Sequence, residues 1–174
     1  MDARTAAAGY RDTVPRTMRL SALALLTMAT AAACASAVSV PVAAHAADPV
    51  CADVVLALPA ELATYPRLRT TSQATTAWGE SASPIVLRCG VEPPPPTTDK
   101  CVTATDDAGT SVDWIAIEGS DGGSGGATWT FTTYGREPAI EVTVPPEVTK
   151  DSSTSFLVDL GPAVAKTAKL RSCL

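Results

Sequence analysis

Four cysteines, Cys51, Cys89, Cys101 and Cys173, follow a leader with the layout of an export signal, and these two features together limit the fold more than any other part of the chain. Arg4, Arg11, Arg16 and Arg19 precede an uncharged run over residues 20–40, and Ala44-His45-Ala46 comes just before Asp48-Pro49 opens a different composition. Basic residues, an apolar stretch and a small-x-small ending are the three parts of a secretory signal. In the oxidising space such a signal leads to, an even number of cysteines reads as a disulfide framework, and four of them allow three connectivities. The expected division is residues 1–46 as signal peptide or membrane anchor and residues 47–174 as a single extracytoplasmic domain.

Three fates are open to the leader. Cleavage after Ala46 satisfies the small-x-small rule. Retention as an anchor is the second, because the uncharged run has about the length that spans hydrocarbon, although its Ala, Ser and Thr insert less favourably than Leu or Ile. The third makes Cys34, behind Ala31-Ala32-Ala33, a lipidated cysteine. Each delivers the domain to the outer side of the cytoplasmic membrane, secreted or anchored, with membrane contact only through this segment.

Beyond position 46 the chain carries nine basic and sixteen acidic side chains, a net charge of −7. Such a surface repels phosphate backbones, which excludes nucleic acid as a partner. Residues 47–174 suffice for one packed core. With two Phe, three Tyr and three Trp in the whole chain, that core must be mostly Val, Leu, Ile and Ala.

The sole histidine is His45. Cleavage after Ala46 would leave a domain without imidazole, which removes His-based triads, His-ligated zinc and His-activated cysteines. Gly122-Gly123-Ser124-Gly125-Gly126 matches G-x-S-x-G, but it lies in a glycine run with no following His, so it reads as a flexible loop. No Cys-x-x-Cys occurs, and Asp106, Asp107, Asp113 and Asp121 lack calcium-loop spacing. The sequence therefore assigns no catalytic residue, no metal ligand and no cofactor.

Asp48-Pro49 starts a helix, with Asp as N-cap and Pro in the first turn. Val50, Cys51, Val54, Val55, Leu58 and Leu62 follow at helical spacing, interrupted at Pro59. Residues 64–83 read as irregular. Residues 84–91 alternate, with Ile85, Leu87, Cys89 and Val91 on one face and Val86, Arg88 and Gly90 on the other. Further strands are predicted over residues 101–105, 112–118, 128–134 and 139–144, the last two joined as a hairpin through residues 135–138. Ile140, Val142 and Val144 form its inward row. A C-terminal helix, bent or divided at Gly161-Pro162, carries Phe156, Leu157, Leu160 and Val164 on one side. The predicted fold class is α+β: a two-layer domain whose antiparallel sheet of four to five strands is flanked by an N-terminal and a C-terminal helix.

Ala77-Trp78-Gly79, residues 84–91 (Pro-Ile-Val-Leu-Arg-Cys-Gly-Val), Val112-Asp113-Trp114, residues 131–136 (Phe-Thr-Thr-Tyr-Gly-Arg) and residues 140–145 (Ile-Glu-Val-Thr-Val-Pro) together resemble an actinobacterial family of exported or membrane-anchored domains of unknown function. The resemblance covers most of residues 49–165, in order. It implies an exported location and a cysteine near the helix start, matched here by Cys51, and it brings no established activity. Because the family pattern does not require Cys101 and Cys173, the resemblance also implies Cys51–Cys89 as the common bridge, leaving Cys101–Cys173 as the second.

Four residues are candidate contacts for a ligand or partner. Arg88, mid-strand and opposite Cys89, either grips an anionic group or pairs with Asp113, Glu137 or Glu141 to hold strand register. Arg136 stands at the hairpin, where position alone makes it exposed. Trp78 and Trp114, with Trp129, offer aromatic faces for sugar rings or serve as core. The expected function is an envelope domain that binds or interacts without catalysis, with an envelope protein or carbohydrate as partner. The alternative is a small carboxylate-dependent hydrolase of envelope carbohydrate, using acids such as Glu137 and Glu141.

Overall fold

The computed structural model describes residues 37–120, 126–149 and 154–174, all within one compact unit, Ser36–Leu174. Asp48 caps helix α1 (Pro49–Ala57): its Oδ1 accepts the Val50 N–H at 2.8 Å, and Pro49 occupies the first turn, where a missing N–H costs nothing. The helix stops at Leu58, in front of Pro59. Its Cys51 and Val54, with Leu58 just beyond it, are buried.

Beyond α1 the chain is almost entirely β. The strands are β1 (Glu61–Leu62), β2 (Tyr65–Leu68), β3 (Thr75–Glu80), β4 (Ser83–Val91), β5 (Lys100–Thr105), β6 (Ser111–Glu118), β7 (Trp129–Thr133), β8 (Arg136–Glu137), β9 (Ala139–Val144) and β10 (Ala168–Lys169). Eight of them form one antiparallel sheet in the order β1-β2-β3-β4-β9-β7-β6-β5, and β10 pairs with β8. Among the described residues there are also three one-turn helices, α2 (Pro146–Thr149), α3 (Phe156–Asp159) and α4 (Gly161–Val164).

This architecture corrects the predicted fold class. The sheet has eight strands rather than four to five, a second two-stranded sheet accompanies it, and the helices are short. Of the three further strands of the large sheet, β2 and β3 lie in residues 64–83 and β1 just before them. In β3, Thr75, Thr76, Ala77 and Trp78 are all buried, so both faces are covered and the alternation that marks a half-exposed strand is absent. The expected C-terminal helix is divided where Gly161-Pro162 interrupts it, leaving Pro162 in the first turn of α4. Its apolar residues are nonetheless buried, because Phe156, Leu157, Leu160 and Val164 pack into one cluster with residues of α1 and the sheet.

That cluster is the layer between sheet and helices. Trp78, Leu87, Trp114, Phe131, Ile140 and Val142 project from the sheet to meet Cys51, Val54, Leu160 and Val164. Within β4, Ile85, Leu87 and Cys89 point inward as the alternation requires. Val91 does not join that row fully: the pairing with β9 shifts between Cys89 and Val91, around Gly90 at φ +88°. In β9, Ile140, Val142 and Val144 are buried, and Glu141 and Thr143 lie on the other face. The strands β7 and β9 pair directly, with β8 in the connection between them.

Two disulfides staple the layers, in the pairing the resemblance implies. Cys51–Cys89 joins α1 to β4 with Cα atoms 5.5 Å apart, and Cys101–Cys173 joins edge strand β5 to the C-terminal residues across 6.6 Å. No helix among the described residues is long and apolar enough to cross a membrane.

Candidate functional site

Arg88 stands on the sheet face away from the core, directly opposite Glu141 in the β4–β9 register. Its Nε and Nη2 both donate to Glu141 Oε1, at 3.0 and 2.7 Å, with both side chains half-buried. The guanidinium is thus matched to one carboxylate across two neighbouring strands, and the pair holds register where the sheet joins its halves. Thr143, Thr130 and Thr132 occupy the neighbouring positions on that face, set by the β4–β9 and β7–β9 pairings.

Trp78 and Trp114 are fully buried. Trp78 donates its indole N–H to the Pro59 carbonyl at 3.2 Å, closing the chain exit from α1 onto β3. Trp114 lies in the core with no partner for Nε1 among the described residues.

Arg136, expected to be exposed, is buried at 6% of its accessible surface. The reason is the C-terminal segment, which folds back over it. Nη1 donates to the carbonyls of Val164 (3.3 Å) and Thr167 (3.1 Å), and Nη2 to that of Ser111 (3.3 Å). Burial pulls its pKa below the usual arginine value, and the nearby Asp113 carboxylate opposes that shift. Asp113 is itself occupied: Oδ1 accepts from Thr103 Oγ1 at 2.7 Å, and Oδ2 from the Cys173 N–H at 3.1 Å. Its carboxylate and the sulfurs of Cys101 and Cys173 lie within 4.8 Å of one another. With both sulfurs committed to their bond, the trio lacks the thiolates that would attract a metal.

Trp129 is the tryptophan at a surface cavity. The core-side row Lys100, Ala116, Phe131 follows from the pairings of β5 with β6 and β6 with β7, and Trp129 sits one position on, beside Val144. Ala116 is the smallest member of that row, and the space above it is a cavity of about 220 Å³, whose walls also include Val102 and Phe156. The Trp129 and Phe131 rings stack with centroids 6.2 Å apart and planes 19° from parallel, and Phe156 meets Phe131 edge-on at 5.8 Å. Lys100, Thr149 and Thr154 add an ammonium and two hydroxyls. An aromatic wall with several polar groups suits a ring that is apolar on its faces and hydroxylated at its edge. Sequence reasoning identified Trp129 as an aromatic face but not the cavity, since alignment of Lys100, Ala116 and Phe131 exists only once three strands are in register.

A second cavity, of about 340 Å³, is lined by His45, Asp48, Glu92 and Glu137 together with Val91, Pro93, Pro138 and Ala139. His45 Nε2 lies 2.7 Å from Glu92 Oε1. Glu137 and Glu141, the sample carboxylate pair for glycoside hydrolysis, have different surroundings: Glu137 faces this cavity, and Glu141 is engaged by Arg88. Asp106 accepts the Thr110 N–H in a local turn. Cys34, Asp121 and Ser124 lie outside the described residues.

An eight-stranded antiparallel sheet, stapled at its centre to α1 and at its β5 edge to the C-terminal residues and covered on one side by short helices, defines a disulfide-bonded, mostly β domain. The chain belongs to the family described as protein of unknown function (DUF3515), which it matches over residues 14–173. No curated protein and no solved structure gives a significant match.

Proposed function

We propose that this is an exported, non-catalytic domain of the cell envelope that binds carbohydrate, one uncharged sugar ring entering the Trp129 cavity. The observation that carries the reading is the stacked Trp129–Phe131 wall beside Lys100, Thr149 and Thr154 in about 220 Å³. That volume lies below the roughly 300 Å³ at which pockets for drug-sized ligands begin, and it suits a single ring rather than a chain. The net charge of −7 beyond position 46 favours a neutral sugar over an acidic one. Export is supported by the layout of the leader and by two disulfides, which persist in oxidising compartments.

The test is titration of the intact protein with glucose, galactose and N-acetylglucosamine, followed by tryptophan emission and by NMR of the indole N–H signals. One of these sugars is expected to perturb the Trp129 signal and leave Trp78 and Trp114 unmoved. Ala116→Leu, which fills the cavity, should weaken the response at least tenfold, and Trp129→Ala should abolish binding followed by calorimetry, which does not use the indole as reporter. A wild-type protein silent to all three sugars at tens of millimolar overturns the proposal.

A further inference from the structure

Residues 37–46 lie against the domain as a strap rather than leading away from it. Val38 forms a parallel bridge with Thr70; its N–H donates to the Arg69 carbonyl at 2.8 Å, and its carbonyl accepts from the Thr71 N–H at 3.0 Å. Val40 continues the contact, donating its N–H to Thr71 Oγ1 and accepting from Ser72 Oγ. Val40, Ala43 and Ala46 are buried, each less than a tenth exposed. At the far end, the His45 N–H donates to the Gly90 carbonyl at 2.8 Å. The approach there is so close that a Cβ on Gly90 would stand 2.4 Å from the His45 carbonyl carbon. The bulge in β4 therefore presents a bare backbone at the one place where the strap crosses it.

We infer that the strap belongs to the mature domain, so that any processing of the leader takes place at Ala37 or upstream and not after Ala46. Cleavage after Ala46 would discard these backbone hydrogen bonds and three buried side chains, and would leave Gly90 shaped for a neighbour that is gone. Upstream of the strap the chain offers chemistry for processing: Ala35-Ser36-Ala37 is a second small-x-small sequence, and Cys34 follows three alanines. Retaining the strap also keeps His45, and with it the cavity that His45 shares with Asp48, Glu92 and Glu137. The exported domain then holds one imidazole among carboxylates instead of none.

The placement of the cut rests on the export reading, whereas the seating of the strap does not, and two measurements separate them. The first is intact mass and N-terminal sequencing of the protein recovered from its envelope. A product that begins at Val38 or earlier, lipidated, trimmed or uncleaved, supports the inference, and a product that begins at Ser39 or later overturns it. The second compares Gly90→Ala with Gly109→Ala in the full chain by urea unfolding. Both glycines have positive φ, +88° and +84°, so both substitutions carry the same backbone strain, but a Cβ at Gly109 meets nothing within 4 Å. Gly90→Ala is expected to lower the folding equilibrium constant at least tenfold more than Gly109→Ala. Equal losses would mean that no strap is seated on Gly90.

Discussion

Arg136 ties together chain segments that are otherwise far apart, through three hydrogen bonds from its two terminal nitrogens. One guanidinium binds the carbonyls of Val164 and Thr167 on one side and of Ser111 on the other, next to Asp113. Arg136→Met would remove three charge-assisted hydrogen bonds to buried carbonyls and the cation that faces the buried Asp113 carboxylate, at a cost of about 3 kcal/mol or more. Arg136→Lys should recover little, since a single ammonium cannot span both sides as a planar fork does. Urea midpoints of the two variants check this, with near-identical losses expected. The lowered Arg136 pKa is that of a cation that burial disfavours, so its penalty is present at neutral pH and constant below it. Stability should accordingly show no titration from this group between pH 5 and 9. Sequence position misplaced Arg136: a hairpin residue is exposed only when nothing later in the chain folds over it. Arg88, by contrast, was legible as a strand residue in need of a carboxylate, and the register supplies Glu141.

Among elements, the strands with a regular alternation announced themselves most clearly. The period of two in β4 and β9 made their inward rows readable residue by residue, while β2, a short Tyr-Pro-Arg-Leu strand with no buried residue, and β3, with four buried residues in a row, passed for loop. The Trp129 cavity was hidden for a related reason, since Lys100, Ala116 and Phe131 become neighbours only through register. The edge strand β5 is held to the C-terminal residues by Cys101–Cys173, which closes a loop of 72 residues. Losing that constraint on the unfolded chain costs about 4 kcal/mol in the chain-entropy model. The paired Cys101→Ser, Cys173→Ser variant should lose stability by that order. Its C-terminal residues should also gain protease sensitivity at Lys169 and Arg171, read as trypsin fragments by mass, before the sheet yields. Cys51–Cys89, which spans 38 residues inside the core cluster, should instead act on global unfolding alone.

For the whole molecule, two bridges, one inside the core and one at the sheet edge, make folding depend on the redox state of the compartment. Protein recovered from the envelope should show no free thiol at Cys51, Cys89, Cys101 or Cys173 by alkylation and mass analysis. The same chain made in a reducing cytosol should unfold at lower urea and regain its midpoint on oxidation. Four alkylated cysteines in the envelope form would contradict both the bridges and the export reading.

The sequence by itself determined the helix start at Asp48-Pro49, the strand periodicity from residue 83 onward, the acidic surface and the presence of four cysteines available to pair, all of which depend on residues close together or on simple counts. Only the tertiary structure decided the number of strands, the burial of Arg136, the cavity at Trp129 and the seating of residues 37–46 on Gly90. Each of these is a meeting of segments distant along the chain. Local patterning records whether a residue is half-exposed, but not which remote segment will cover it.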